Sequence, residues 1–175
     1  MRNLLVLVLF LSTTLGLGGC VGMAAEGVRA ADSENTRAVY MESAMAGDAD
    51  AQFKVGSAYC CTPGDSQDGY YDNFKATEFL CMAARQGHAD AALKLGKIHS
   101  GDRIDGVRLL RRAVTAVAGS DKANLQVAAY WLTQAQQQGS EEAQSLLAKL
   151  PTQDISEFSA SDSAPCTWQQ VYGDQ

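Results

Sequence analysis

The sequence predicts an all-α protein built as a short solenoid of stacked helix pairs. Three observations support this fold class. One motif occurs repeatedly, apolar residues recur at helical spacing, and Pro63 is the only proline between Ala31 and Leu150. Because proline interrupts helices, a chain with a single proline over this interval favours helical elements.

The repeated motif is clearest in AGDADAQFKVGSAY, Ala46 to Tyr59, and QGHADAALKLGKIH, Gln86 to His99, which align at a shift of forty positions. A shorter third copy, QGSEEAQSLL, runs from Gln138 to Leu147. We call the helix predicted in each copy helix A. Repeats of this spacing indicate a solenoid, in which each unit buries its apolar face against its neighbours.

A second motif precedes these copies and predicts a second helix, helix B. KATEFLCMAARQG, Lys75 to Gly87, matches VAAYWLTQAQQQG, Val127 to Gly139, at a shift of fifty-two positions. TRAVYMESAMAG, Thr36 to Gly47, is a weaker version. One unit of the solenoid is therefore predicted to be helix A followed by helix B.

Small and polar residues mark the turns between units. Gly47, Gly87 and Gly139 are predicted to end the B helices, where a left-handed backbone conformation is needed. Five residues are predicted to cap the following A helices and to favour their dipoles: Asp48, Asp50, Asp90, Ser140 and Glu141.

Residue size along the helices predicts how they pack. Small residues are expected where helices cross closely: Ala51, Gly56, Ala76, Ala83, Ala84, Ala91 and Gly96. Large residues are expected to fill the space between the crossings: Phe53, Val55, Tyr59, Phe79, Leu80, Leu93, Leu95 and Trp131.

The register between the second and third copies has two interpretations. In the first, Gly101 to Lys122 is an insertion that contains an extra helix. In the second, Ala123 to Ala129 is a helix A, aligned with Ala91 to Lys97 at a shift of thirty-two, and Asp105 to Val117 is an ordinary helix B. We prefer the insertion because the match over Gly139 to Leu147 is stronger.

The beginning of the chain has the layout of a secretory signal peptide. Arg2 is followed by an apolar run, Leu4 to Leu11, and then by small residues. The run is too short to cross a bilayer, which needs roughly 20 apolar residues. The segment ends in LGGC, Leu17 to Cys20, which resembles the lipobox of bacterial lipoproteins. Residues 1–19 are therefore predicted to be a lipoprotein signal peptide.

The lipobox resemblance implies that Cys20 becomes the first residue of the mature protein. It would carry a diacylglycerol thioether and usually an amide-linked acyl chain such as palmitate, and more than one acyl chain gives stable anchoring. Val21 follows, and no Asp stands there to indicate retention in the inner membrane. We expect an outer-membrane anchor facing the periplasm, with the periplasmic face of the inner membrane as the alternative.

Composition divides the rest of the chain into three parts. Residues 20–35 are small and polar and predict a flexible tether, and residues 36–150 carry the helical repeats. Residues 151–175 are rich in Ser, Asp and Gln and predict a mostly disordered tail. The tail contains Cys166, Trp168 and Tyr172, which are able to dock on the solenoid.

The helical part resembles Sel-like repeats, a TPR-like αα-repeat family with the pattern AxxGxxxAQxxLGxxY followed by DxxKAxxWxxKAAxQG. The residues that fit the first half are Ala44, Gly47, Ala51, Gln52, Gly56 and Tyr59. Those that fit the second are Asp72, Lys75, Ala76, Phe79, Ala83, Ala84, Gln86 and Gly87. The loop from Cys60 to Asn73 is longer than the family's usual connector.

The Sel-like resemblance implies a right-handed superhelix and a role as an adaptor or scaffold. Bacterial lipoproteins of this kind are similar to parts of exopolysaccharide secretion and envelope assembly systems, which is an analogy at the level of the fold.

Four cysteines remain besides Cys20: Cys60, Cys61, Cys81 and Cys166. The periplasm permits disulfides, and an even number of cysteines favours them. A bond between the adjacent Cys60 and Cys61 would be strained, so we expect one of them to bond Cys81 and the other to bond Cys166. In the alternative, Cys81 is a free thiol buried in the core.

No pattern of residues predicts a metal site or nucleic-acid binding. The net charge is −6, and RLLRR, Arg108 to Arg112, is the one basic cluster that stands out. The acidic loop residues lack the spacing of an EF-hand: Asp65, Asp68 and Asp72. Neither CxxC nor HxxxH spacing occurs. We expect no nucleic acid, metal or cofactor.

Catalysis is not predicted either. His88 stands at a helix start and His99 replaces the Tyr at the end of a helix A, so both are expected to be structural. A GxSxG nucleophile motif is absent from the sequence. We therefore expect that the protein is not an enzyme.

Three functions are then compared. The first is a periplasmic scaffold for envelope proteins, with candidate binding residues Tyr70, Tyr71, Arg108, Arg111 and Arg112. The second is a glycan- or peptidoglycan-associated adaptor, in which exposed aromatics stack on sugars: Tyr70, Tyr71, Trp131 and Trp168. The third is a cofactor or inhibitor of a small hydrolase. An exposed apolar patch would favour the first function, and exposed aromatics the second.

Overall fold

The computed structural model describes residues 30–60, 72–100, 124–150 and 165–172. Within those ranges there are seven helices and no strand. The all-α prediction is therefore confirmed for the described residues. The helices are α1 (30–45), α2 (Ala49–Tyr59), α3 (Asn73–Arg85), α4 (Ala89–His99), α5 (Leu125–Gln137), α6 (Glu141–Leu147) and α7 (Trp168–Tyr172).

The described helices match the predicted A and B pattern. α2, α4 and α6 are A helices, and α1, α3 and α5 are B helices. α1 begins at residue 30, inside the stretch 20–35 predicted as a tether. It starts with Ala30 and Ala31, and alanine is the strongest helix former. None of the helices in the described ranges is long and apolar enough to cross a membrane.

The three turns from a B helix to an A helix are built alike. Gly47, Gly87 and Gly139 have φ angles of 100°, 89° and 93°, a conformation that favours glycine. The next residue caps the A helix. The side chains of Asp48, His88 and Ser140 accept a hydrogen bond from the backbone N–H three residues further on. The N-cap of α4 is therefore His88, whereas an acidic residue, Asp90, was predicted to cap this helix.

The two described connections from an A helix to a B helix differ in length, but both are closed by an equivalent backbone hydrogen bond. The Asp72 N–H donates to the Tyr59 carbonyl at 2.9 Å, and the Asn124 N–H donates to the His99 carbonyl at 2.8 Å. Asp72 and Asn124 then cap α3 and α5 with their side chains. α5 therefore occupies the B position, as the insertion register requires. The predicted extra helix in the insertion lies outside the described residues.

The helices of each pair approach closely at one glycine. A Cβ atom at Gly56 would lie 2.8 Å from Leu80 Cγ, and one at Gly96 would lie 2.6 Å from Leu132 Cγ. These two contacts are equivalent, since Gly56 aligns with Gly96 and Leu80 with Leu132 at the shifts found in the sequence. Neighbouring helices pack in chain order, α2 on α3, α3 on α4, α4 on α5 and α5 on α6.

We predict that Gly96→Ala lowers the free energy of unfolding by about 1 kcal/mol. The methyl group would meet Leu132, which is fully buried, and overpacking costs about 1–3 kcal/mol. The better helix propensity of alanine offsets about 1 kcal/mol of this. Denaturant unfolding followed by circular dichroism measures the change. In a Leu132→Ala background the same substitution should be neutral or stabilising, and an equal loss in both backgrounds would contradict the proposed contact.

Candidate functional site

The candidate site is the place where the C-terminal segment 165–172 docks on the helices. Cys166 is bonded to Cys81 in the middle of α3, with Cα atoms 5.7 Å apart, and both residues are buried. The expected bond between Cys81 and Cys60 or Cys61 is therefore wrong, as is the alternative in which Cys81 is a free thiol. Cys60 is also in a disulfide, and its partner lies outside the described residues.

A backbone hydrogen bond holds the segment next to the disulfide. The Trp168 N–H donates to Thr77 Oγ1 at 2.7 Å, one turn before Cys81 on α3. Thr77 is fully buried, and its hydroxyl donates to the Asn73 carbonyl at 2.8 Å. The Trp168 side chain is 5% exposed, so it is part of the packed interior. These contacts order eight residues of the stretch 151–175, and residues 151–164 lie outside the described ranges.

His99 connects the same segment to α4. Its Nε2 lies 3.3 Å from the Cys166 carbonyl oxygen, and its side chain is fully buried. A carbonyl only accepts hydrogen bonds, so Nε2 carries the proton in this contact. Burial lowers the pKa of His99 to about 4, which keeps the ring neutral at neutral pH. The repeat predicts a half-buried packing residue at this position, and the bond to a carbonyl 67 positions later has no local signal in the sequence.

The docking site holds the segment through buried polar groups. Its polar groups, Thr77 and His99, are buried and are engaged by the segment itself. The disulfide between Cys81 and Cys166 fixes the segment covalently to α3. The structural role predicted for His99 is thus supported by its contacts, with the docked segment as the partner that the sequence did not indicate.

A second polar cluster joins α2 to α4 near the surface. His88 Nδ1 accepts from the Ala91 N–H at 3.3 Å, so Nε2 carries the proton and lies 3.2 Å from Asp50 Oδ1. The His88 ring stacks on Phe53 with a centroid distance of 4.6 Å. These contacts explain His88 as a cap and as a bridge between successive A helices.

The outer side of the A helices forms one partly exposed surface. We define the A-helix surface by Phe53, Leu93, Lys94, Lys97 and Ile98, all of intermediate exposure. Lys94 Nζ lies 5.9 Å from the centre of the Phe53 ring. Lys97 forms an ion pair with Glu142 on α6. The surface therefore lies on α2 and α4, mixes apolar and basic groups, and adjoins α6 through the ion pair with Glu142.

Most of the predicted site residues lie outside the described ranges: Cys20, Cys61, Tyr70, Tyr71, Arg108, Arg111 and Arg112. Trp131 is 3% exposed and Trp168 is 5% exposed, so neither ring is available to stack on a sugar. Among the described residues, no group of three or more His, Cys, Asp or Glu side chains could hold a metal ion.

Comparison of the chain with protein-family models, with curated proteins and with solved structures finds no match in any of the three.

We predict that acid destabilises the protein through His99. Between pH 6.5 and about 4 the unfolded chain binds a proton at this residue and the folded protein does not. The free energy of unfolding therefore falls as the pH decreases through this window. One pKa unit corresponds to roughly 1.4 kcal/mol, so the loss from His99 reaches roughly 3 kcal/mol.

Denaturant unfolding at a series of pH values measures this effect. His99→Gln keeps an N–H donor for the Cys166 carbonyl but does not titrate, and it should flatten the pH dependence. His88→Asn is the matched control, since it removes the other histidine and keeps a capping side chain. Equal slopes in the wild type and His99→Gln would show that His99 is not the titrating group.

We predict that Cys166→Ser frees the C-terminal segment. The disulfide closes a loop with a sequence separation of 85, and losing such a bond costs about 2–4 kcal/mol. Limited proteolysis should then cut near residues 165–172 in the variant and not in the wild type. Thr77→Val, which removes the acceptor for the Trp168 N–H and the hydroxyl that donates to the Asn73 carbonyl but keeps the disulfide, should have a smaller effect. Peptide mapping without reductant that finds Cys81 bonded to another cysteine would contradict this assignment.

Proposed function

We propose that this protein is a lipid-anchored scaffold or adaptor that faces the periplasm and holds proteins of an envelope assembly or secretion system together. The main observation in support of this proposal is that the same contacts recur in two successive helix pairs. α2 with α3 and α4 with α5 have side-chain caps at equivalent positions, equivalent connecting hydrogen bonds and the same type of glycine contact. Stacked equivalent pairs present a continuous surface to protein partners, which is how solenoids bind.

The arrangement we propose is a right-handed αα solenoid of Sel-like repeats. The pattern residues of this resemblance have clear positions in the fold. Ala51 is buried, Gly56 contacts α3, and the Gln86 Nε2 donates to the buried Gln52 Oε1 at 2.7 Å. These contacts support the resemblance, and they explain why the pattern needs an Ala, a Gly and two Gln residues at these places.

The proposed location is the periplasmic side of the outer membrane, with the inner membrane as the alternative. Two independent features support export from the cytoplasm. LGGC, Leu17 to Cys20, resembles a lipobox, and Cys81 is bonded to Cys166. Structural disulfides persist in oxidising compartments such as the periplasm and are rare in the cytosol. The lipid on Cys20 would place the helices close to the membrane surface.

The A-helix surface is the described region best suited to a protein partner. The exposed parts of Phe53, Leu93 and Ile98 offer apolar contact area, and Lys94 adds positive charge, whereas the charge of Lys97 is paired with that of Glu142. Partly exposed apolar groups within a polar rim are typical of protein interaction surfaces. Tyr70, Tyr71, Arg108, Arg111 and Arg112 remain proposed binding residues. Since Trp131 and Trp168 are buried, the glycan alternative depends on Tyr70 and Tyr71 alone.

The test is crosslinking in intact cells, followed by affinity purification and mass spectrometry of the crosslinked products. The proposal expects one dominant envelope protein, and Phe53→Ser should reduce its recovery several-fold. Met45→Ser is the matched control, because Met45 is 71% exposed and lies outside the A-helix surface. Recovery of glycan fragments, or of nothing above background, would overturn the scaffold proposal.

A parallel measurement tests the anchor. Cys20→Ser should abolish the incorporation of labelled palmitate and move the protein from the membrane fraction to the soluble fraction. Unchanged labelling and fractionation would contradict lipidation at Cys20. Loss of the anchor with the same crosslinked partner would separate the membrane location from the binding surface.

A further inference from the structure

Cys60, directly after α2, is in a disulfide, and the chain offers few partners for it. The sequence contains five cysteines. Cys81 and Cys166 are bonded to each other, so neither is available. The partner of Cys60 within the chain is therefore either Cys20 or Cys61.

The proposed lipid on Cys20 decides between these two partners, and this step rests on the proposed function. The sulfur of a lipidated Cys20 is bound to diacylglycerol in a thioether. Disulfides form and exchange through a thiolate, and a thioether sulfur cannot become one. The partner that remains for Cys60 is its direct neighbour, Cys61.

We propose that Cys60 and Cys61 form a disulfide between neighbouring residues, and that this bond is a redox site for the dithiol group of a thiol–disulfide oxidoreductase. Neighbouring Cα atoms lie about 3.8 Å apart across a trans peptide bond. Disulfides usually join Cα atoms roughly 4.4–6.8 Å apart, and deviation from this geometry makes the bond easier to reduce. The bond of Cys81 to Cys166 has a Cα distance of 5.7 Å, within the usual range.

A disulfide between neighbours has little structural value. The stabilisation by a disulfide grows with the length of chain that it closes. The bond of Cys81 to Cys166 spans a sequence separation of 85. A bond between Cys60 and Cys61 encloses no further residue and constrains the unfolded chain very little. Its reduction therefore leaves the helices folded, which a reversible redox site requires.

Access to the sulfur also distinguishes the two bonds. Cys60 is partly exposed, whereas Cys81 is 4% exposed and Cys166 is fully buried. The rate of thiol–disulfide exchange depends on access to the attacked sulfur. A reductant can reach Cys60 while the helices stay in place, but it reaches Cys81 only after the C-terminal segment has been displaced.

Cys60 lies at the base of the connection from α2 to α3. Its N–H donates to the Ser57 carbonyl at 3.3 Å, and the Asp72 N–H donates to the Tyr59 carbonyl at 2.9 Å. These hydrogen bonds fix both ends of the connection without the disulfide. Tyr70 and Tyr71, two of the proposed binding residues, belong to the same connection. The redox state of Cys60 therefore bears on the segment that carries them.

The exchange reaction is a two-electron transfer between a dithiol and a disulfide. A thiolate of the reductant attacks one sulfur of the bond between Cys60 and Cys61, which forms a mixed disulfide and releases the other cysteine as a thiolate that takes up a proton. The second thiol of the reductant, as its thiolate, then attacks the mixed disulfide. The reductant leaves as a disulfide, and Cys60 and Cys61 become thiols.

The first test is peptide mapping of the full-length lipidated protein in detergent. Free thiols are blocked with N-ethylmaleimide, and the protein is digested with trypsin without reductant. Cleavage after Lys54 and Lys75 leaves both cysteines in one peptide, residues 55–75. This peptide should carry no blocked thiol, and its mass should be lower than that of the dithiol form by a pair of hydrogen atoms.

A second test measures the rate of reduction of the native protein by dithiothreitol, a small dithiol. Cys60 and Cys61 should become available to N-ethylmaleimide at least about tenfold faster than Cys81 and Cys166, since the buried bond is hard to reach. The helical signal in circular dichroism should stay unchanged while the first bond is reduced. Equal rates for the two bonds would overturn the redox role.

Two variants identify the partner of Cys60 independently of the mapping. In Cys61→Ser, Cys60 loses its partner and should be blocked by N-ethylmaleimide without prior reduction. Cys20→Ser is the matched control, and in this variant Cys60 should stay protected. Protection of Cys60 in Cys61→Ser, or its loss in Cys20→Ser, would overturn the assignment.

The mapping also separates failure of this inference from failure of the proposed lipid anchor. Two blocked thiols in peptide 55–75 would overturn the inference and leave the anchor standing. A peptide that links Cys60 to Cys20 would overturn both. A bond between Cys60 and Cys61 in a protein without lipid on Cys20 would support the inference and refute the anchor.

Discussion

The close approach of an A helix to its B helix is the constraint on which the described structure depends. Gly56 and Gly96 lie so near Leu80 and Leu132 that no side chain fits between them. This short distance sets the depth at which each pair packs and lets the leucines be fully buried. The same contact occurs twice, which makes the two pairs equivalent although their connecting segments differ in length. The caps and connecting hydrogen bonds then place each helix in register with the next.

The docked C-terminal segment is the second feature that shapes the molecule. In the first pair the A helix ends at Tyr59, whose ring lies beside Arg37 and Lys75. In the second pair His99 takes this position and bonds the Cys166 carbonyl. The disulfide and the bond from Trp168 to Thr77 complete the attachment on α3. Since His99 is neutral when folded, the attachment site contains no buried charge, which lowers the cost of burying its polar groups.

The proposed scaffold would combine a repeated surface with a covalently fixed end. Few units give little stacking area, and a disulfide that spans much of the chain compensates for a limited core. Phe53, Leu93 and Ile98 of the A-helix surface pack against the core with one side and remain partly exposed on the other.

The sequence by itself determined the helical class, the alternation of A and B helices and the glycines at the turns. These features depend on local spacing, left-handed glycines and close contacts between neighbours in the chain, all of which leave a periodic trace. Only the tertiary structure decided the partner of Cys81, the role of His99 and the burial of Trp168. Each of these depends on a segment that is distant along the chain and carries no repeat. Cysteine counts permit several pairings, and a histidine shows its bond acceptor only when the fold brings the two together.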